Sequence, residues 1–327
     1  MSSNGIRQAL VVYSPVSGNA HNLDERLGYI VRKLCEDKRF VANVRPLKPG
    51  MKGAELFTPE LGEFDLVIAC GGDGTVRNVF GAMAEMKHKA PVAIVPFGTG
   101  NLLAKSLGIW PTNQTEDPVL CAINVIHRGE TIAMDLGKMN GNYFVIDAGI
   151  GPISNAIVAP NPRFKRTFKM LAYIAPLLKA MSKRSLECHF IIDDTEHFYR
   201  NASGIFVTNA SDMGIGRGLD AEQFTDGWLD LCIMNPLSPL QYWKIAYRFG
   251  AWFLGGFVSG PPPYLVRKVK KVRIETDRTA SAMVDGDRCC STPIEIEVVP
   301  HAVNVLVPAS IARTAYGAKR LSAESQL

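Results

Sequence analysis

The stretch "FDLVIACGGDGT", residues 64 to 75, restricts the fold more than any other part of the chain. The apolar run Phe64 to Cys70 reads as a buried strand. Gly71, Gly72 and Gly74 then fall where that strand hands over to a helix. Such junctions bind phosphate, because glycine lets the backbone approach closely and the helix start offers amide N–H groups with a favourable dipole.

The same rhythm recurs around it. "QALVVYS" (8 to 14), "FVANVRPL" (40 to 47) and "PVAIVPF" (91 to 97) are further short strands, separated by helix-length segments such as 22 to 37 and 76 to 87. That alternation predicts a mostly parallel sheet covered by helices, a Rossmann-like α/β domain over residues 1–128. After about residue 128 shorter β-rich runs take over, among them "NYFVIDAGIG", "LECHFIIDD", "GIFVTNA", "WLDLCIM", "KVRIE" and "IEIEVV". They predict a largely antiparallel β-sandwich domain over 129–308, interrupted by helices near 163–184 and 238–254. Residues 309–327 are expected as a tail, frayed or packed back as a short helix.

Three loops of the first domain are rich in glycine and small hydroxyl residues: "SPVSGNA" (14 to 20), "GGDGT" (71 to 75) and "FGTGN" (97 to 101). In a parallel sheet all three emerge at the carboxyl edge, where open α/β sheets bind ligands. Each alone is equally well a turn that ends a strand. Together they form a candidate polyphosphate cradle of Ser14, Ser17, Gly18, Gly71, Gly72, Gly74, Thr75, Gly98, Thr99 and Asn101. Asp73 needs a separate reason, because a carboxylate repels phosphate unless a cation stands between them. Mg2+, which favours one or two carboxylates plus substrate phosphates, would reconcile the two. The chain has no G-x-x-x-x-G-K-[ST], no H-R-D loop with D-F-G and no G-x-G-x-x-G, which argues against the P-loop, protein kinase and dinucleotide readings.

Composition narrows the setting. The formal charge of +5 is mild, but basic residues cluster in "RFKRTFKM" and "VRKVKKVR", favouring an anionic surface; nucleic acid is not expected as a partner. The seven cysteines form no C-x-x-C pair, so zinc and a disulfide framework are not expected and a reducing compartment fits. The first residues lack a secretory pattern. The most apolar later stretch, 251 to 266, is broken by glycine and proline well short of the roughly 20 residues needed to span a bilayer. A cytoplasmic protein is expected.

In order along the chain, "GGDGT", "PFGTGNLLAKSLGI" (96 to 109), "MDLGKMNGNYF" (134 to 144), "FTDGWLDLCIM" (224 to 234) and "VDGD" (284 to 287) resemble the motifs of the diacylglycerol kinase and sphingosine kinase superfamily, in its bacterial-type form. The resemblance spans almost the whole chain. GGDGT alone also occurs in NAD kinases; the late elements separate the two. The resemblance implies ATP bound between an α/β and a β-sandwich domain, with Asp285 as general base, Asp73 as a catalytic and metal-binding carboxylate and Asp287 as a second metal ligand. It further implies a membrane lipid as acceptor, diacylglycerol first and a sphingoid base second. On the residues alone, Asp285-Gly286 reads first as a plain hairpin turn, and the resemblance reverses that order.

Five positions depart from the family pattern. Ser14 stands where asparagine is usual, Arg77 and Asn78 replace an Asn-Glu pair, Leu102 follows Asn101 where aspartate is common, and Asp287 replaces glutamate. Asn78 thereby removes an acidic group, and Arg77 adds a cation near the phosphates.

Residues 163 to 184 carry apolar positions at steps of three and four among seven Lys or Arg and no acid, a basic amphipathic pattern for a peripheral contact at the inner face of the membrane. The plainer reading is a helix covering the β domain with a solvated basic face. The aromatic run Tyr242, Trp243, Tyr247, Phe249, Trp252 and Phe253 is expected mostly as core. Two functions other than a lipid kinase stay open, an NAD kinase-like enzyme and a catalytically silent nucleotide- and lipid-binding regulator. A homodimer stays open as well.

Overall fold

The computed structural model describes residues 7–15, 23–36, 40–48, 51, 53–57, 63–98, 100–111, 115–154, 184–210, 221–253, 258 and 260–315. The chain forms two compact units. Unit 1 comprises Met1–Leu136, Phe224–Asp226 and Pro300–Leu327; unit 2 comprises Gly137–Gln223 and Gly227–Val299.

Unit 1 is built on β1 (Arg7–Tyr13), β2 (Phe40–Pro46), β3 (Leu66–Gly71) and β4 (Val92–Pro96), parallel in the order β2-β1-β3-β4. Every residue of β3 and β4 is buried, as the unbroken apolar runs require of strands covered on both faces. The covering helices include α1 (Leu23–Cys35), α2 (Gly53–Leu56), α3 (Asp73–Glu85), α4 (Leu102–Ser106) and α5 (Pro118–Arg128). Helix α3 buries Val76, Val79, Phe80 and Met83, one stripe at steps of three and four. Phe80 is fully buried, so truncation to alanine costs about 3–5 kcal/mol. At the start of α5, Asp117 accepts a hydrogen bond from the Val119 N–H at 2.9 Å and Pro118 occupies the first turn. Because β2 lies on one side of β1 and β3 on the other, the strand order reverses direction at β1. The carboxyl ends of β1 and β3 therefore flank the crevice where such sheets bind ligands.

Unit 2 holds two antiparallel layers. The strands β8 (Leu186–Ile192), β9 (Glu196–Ala202), β13 (Lys271–Thr276) and the first part of β16 (Ile294–Val307) follow the order β16-β13-β8-β9. The other layer runs β12-β11-β10-β7-β14-β15, formed by Leu265–Val269, Leu229–Met234, Gly204–Thr208, Asp147–Ile150, Ser281–Val284 and Asp287–Ser291. Between the layers lies a core that includes Phe144, Phe190, Ile205, Leu231, Ile274 and Ile296. β10 and β11 are buried on both faces: Ile205 and Leu231 point into that core, while Phe206, Cys232 and Met234 pack with Tyr242 and Ile245 of α6 (Pro239–Phe253).

The expected α/β and β-sandwich organisation is found, with two differences in extent. The first unit continues to Leu136, within β5 (Glu130–Met139), instead of ending near 128, and it also takes in residues from Pro300 onward. The reason is pairing: Val305, near the end of β16, lies parallel to Val92, and Ala312 and Ala315 of the helical segment 309–315 are fully buried. β9 and β15 escaped sequence reading because their burial follows no apolar alternation. Of the aromatic run, Tyr242 is core, whereas Trp243 and Tyr247 are exposed; the side chains of Phe249, Trp252 and Phe253 lie outside the described residues. Residues 163–183 of the basic amphipathic stretch lie outside them too. Among the described residues, no helix is long and apolar enough to cross a membrane.

Candidate active site

In unit 1, β3 ends at Gly71 and α3 begins at Asp73, with Gly72 between them in an extended conformation (φ −91°, ψ −174°) and no side chain capping the helix. A helix start of this kind leaves backbone N–H donors for a ligand. The neighbouring loop after β4 is locked to it. The Phe97 N–H donates to the Gly71 carbonyl at 2.9 Å, and a Cβ added to Gly98 would stand 2.5 Å from the Gly72 Cα. Asn101 stabilises that loop from within: its Oδ1 accepts from the Gly98 N–H at 2.9 Å and its Nδ2 donates to the Gly98 carbonyl at 2.6 Å. Its own backbone is left-handed (φ 49°), a conformation asparagine tolerates. A side chain at Gly71 would collide with that of buried Thr75. A Cβ at Gly74 would meet nothing within 4 Å.

Asp73 points to the same loop. Its Oδ1 accepts from the Leu103 N–H at 3.3 Å, and its Oδ2 would lie 2.8 Å from a Cβ on Gly100. Burial holds its carboxyl above the usual range, opposed by the amides of Leu103 and Leu102, the Lys105 charge and the Asn101 amide. So Gly71, Gly72, Asp73, Thr75, Gly98 and Asn101 are brought together by contacts among themselves. Ser14, buried, follows Tyr13, which is paired with Cys70 at the end of β3. Ser17, Gly18 and Thr99 lie outside the described residues. Of the departures, Arg77 is half-buried on α3, Asn78 is exposed, and Leu102 is the first residue of α4. Arg26 of α1, with its guanidinium 5.7 Å from the Phe97 ring centroid, is a cation beside this loop that no motif pointed to.

In unit 2, Asp285 occupies the β14–β15 turn with φ 44°, followed by Gly286 at φ 90°. Two successive positive φ values are what a two-residue hairpin of Asp-Gly type requires. The Asp285 carboxylate is held in place by the backbone. Oδ2 accepts from Val145 N–H at 2.9 Å, and Oδ1 from Ile146 and Asp147 N–H at 2.8 and 3.0 Å. The Asp285 N–H in turn donates to the Asp147 carbonyl at 2.8 Å. Asn209, absent from the sequence-level candidates, pins the same segment from the carbonyl side: its Nδ2 donates to Val145 O at 3.1 Å and its N–H to Ile146 O at 2.9 Å. Only its place at the end of the "GIFVTNA" run could have drawn attention to it. Asp287 is exposed, two residues beyond Asp285. Among the described residues, no three His, Cys, Asp or Glu side chains gather as a metal site.

Residues 8–139 match the diacylglycerol kinase catalytic domain, and residues 145–307 match the YegS C-terminal NAD kinase beta sandwich-like domain. An uncharacterised protein of Synechocystis sp. is 29% identical over 76% of the chain, which spans 56% of that protein's length. A diacylglycerol kinase of Bacillus subtilis is 23% identical over 93% of this chain and 97% of its own. Among solved structures, a diacylglycerol kinase from Bacillus anthracis has a TM-score of 0.69 at 19% identity, covering 93% of this chain and 98% of that one. An NAD kinase from Archaeoglobus fulgidus in complex with ATP has a TM-score of 0.52 at 13% identity, covering 96% of this chain and 98% of that one, a likeness of fold. With both domains present in order, the chain belongs to the diacylglycerol kinase superfamily, as a kinase with a diacylglycerol kinase catalytic domain and a YegS-type C-terminal domain.

Proposed function

We propose that this kinase transfers the γ-phosphate of ATP to the hydroxyl of a membrane lipid, diacylglycerol before a sphingoid base. The observation that carries the reading is the uncapped start of α3, set against a second glycine loop at the closest approach of Gly72 and Gly98. Backbone N–H groups there would hold phosphate oxygens. Gly74, where a Cβ would meet nothing within 4 Å, would let phosphate come near.

Asp73 fits a Mg2+ ion. Its ionised form is disfavoured by burial, which a divalent cation beside it would offset. When bound, the ion would neutralise charge on the transferring phosphate. Asp73 would be its ligand from this loop, and Asp287 is proposed as the second. Asp285 would accept the proton of the lipid hydroxyl, with its carboxylate fixed in orientation by the amides of Val145, Ile146 and Asp147. Arg26 adds a positive charge for the phosphates. The enzyme is proposed to act peripherally, from the cytoplasmic face, through the basic stretch 163–184.

A second reading starts from the same Asp285 contacts. A carboxylate engaged by three amides is also what a purely structural turn would show, and a silent nucleotide- and lipid-binding regulator would keep it. Mg2+-dependent consumption of ATP only in the presence of lipid micelles supports the kinase reading. Consumption with NAD in place of lipid, or ATP binding with no turnover on any lipid, would overturn it.

A further inference from the structure

None of the seven cysteines is used by the site described above, and two of them adjoin. Cys289 and Cys290 lie in β15, half-buried at the edge of the unit 2 core. In a regular strand, neighbouring side chains point to opposite faces. A bulge changes that here. The β14–β15 register passes from Ala282↔Cys290 to Met283↔Arg288, leaving Cys289 as the extra residue. The two sulfur atoms stand 3.3 Å apart, and the Cys289 thiol reaches the Ala282 carbonyl at 3.7 Å.

The other cysteines are placed differently. Cys70, Cys188 and Cys232 are buried. Burial pushes the Cys70 thiol up, and the Cys188 thiol to about 12, so neither supplies thiolate for exchange near neutral pH. Cys35 and Cys121 lie on separate helices, α1 and α5.

We propose that Cys289 and Cys290 form a site of reversible thiol–disulfide exchange with small disulfide molecules, closing to a vicinal disulfide that loosens the Asp285 turn. One cysteine thiolate attacks a sulfur of the small disulfide, forming a mixed disulfide and releasing one thiol. The neighbouring thiolate then displaces the second thiol. The protein sulfurs lose two electrons, the reagent gains them, and the two protons leave on the released thiols.

Closure must bring the sulfurs from 3.3 Å to a bond of about 2.05 Å. It must also accept Cα atoms only about 3.8 Å apart, below the usual disulfide span of about 4.4–6.8 Å. The ring is therefore strained and easily reduced again, as regulatory disulfides are. The bulge, where the β14–β15 register shifts, is where the strand can move. That motion acts on the hairpin whose turn is Asp285-Gly286, and Asp285 holds the amides of Val145, Ile146 and Asp147. Control of catalysis through this movement rests on the role proposed for Asp285; the exchange site itself does not.

The test uses the purified full chain and glutathione disulfide, followed by blocking of remaining thiols and peptide mass measurement. The peptide carrying Cys289 and Cys290 is expected to escape blocking and to be lighter by two hydrogens, with dithiothreitol restoring it. The Cys290→Ser variant is expected to stop at the mixed disulfide. Hydrogen exchange of the amides of 145–147 is expected to quicken by roughly tenfold on closure in the wild type and to stay constant in that variant. Full blocking of both cysteines after oxidation, or glutathione retained on one of them in the wild type, would overturn the site. Closure with unchanged exchange at 145–147 would overturn its link to Asp285, whatever the enzyme phosphorylates.

Discussion

Gly72 and Gly98 meet backbone to backbone: a Cβ on Gly98 would stand 2.5 Å from the Gly72 Cα, and one on Gly72 would stand 3.1 Å from the Gly98 Cα. The two glycine loops of unit 1 are thus one structure. Gly98→Ala must push backbone aside, at a cost of about 1–3 kcal/mol by the measure of overpacked cores. Thermal unfolding should show that loss, and calorimetric titration with ATP should show weakened binding. Unchanged stability would mean that the loops separate at no cost.

Gly74 is the contrasting case. A methyl there meets nothing within 4 Å, and the position lies in the first turn of α3. Gly74→Ala should leave stability unchanged or raise it by up to ~1 kcal/mol, since alanine favours the helix. ATP affinity should nonetheless fall, because the methyl occupies space that a phosphate would take. Full ATP affinity in a stable Gly74→Ala protein would remove the phosphate from this loop.

Asp73 should reveal itself through pH. An acid whose pKa is higher folded than unfolded holds its proton more tightly in the folded state, so its contribution to stability falls as pH rises from the ordinary value of 3.8 through the folded one. Asp73→Asn abolishes that titration. The stability of the variant relative to wild type should therefore improve from acid to neutral pH, and Mg2+ with ATP should stabilise wild type more than the variant. A difference independent of pH would contradict the burial of that charge.

Much of this was legible in the sequence because it depends on local chemistry. The apolar runs before Gly71 and Gly98 specify buried strands, and the three glycines at and just beyond the end of β3 specify a junction poor in side chains. What could not be read was which contacts those glycines serve. Gly71 makes room for Thr75 and Gly98 for Gly72, while of the three after the strand's apolar run only Gly74 is left open, a distinction that for the Gly98 pair depends on residues 26 positions apart meeting in space. The hold of Asp285 on residues 145–147 and the part played by Asn209 are equally invisible, since they link segments more than 60 residues apart. The unit boundary near 136 escaped because the strand β5 continues across it without a break in pattern.

The proposed membrane contact has its own test. Lys165, Arg166 and Lys169 lie in the basic stretch, and changing all three to glutamate removes most of its net positive charge. Sedimentation with anionic vesicles should show binding reduced on the order of a hundredfold, as about 1 kcal/mol per basic residue implies. Binding unchanged by the triple substitution would assign the contact elsewhere.

The decisive measurement is transfer of labelled γ-phosphate from ATP into micellar lipids, with diacylglycerol and sphingosine in the panel, for wild type and Asp285→Asn. Asparagine keeps an oxygen for the amides of Ile146 and Asp147 but turns a donor toward the Val145 N–H, at a cost on the order of 1–3 kcal/mol. Rates must accordingly be normalised to folded protein. The prediction is a labelled lipid from wild type, with the rate lower in Asp285→Asn by a factor of about 100 or more. Wild-type rates in the folded variant, or ATP binding with no lipid labelled by either protein, would contradict Asp285 as the base of a lipid kinase.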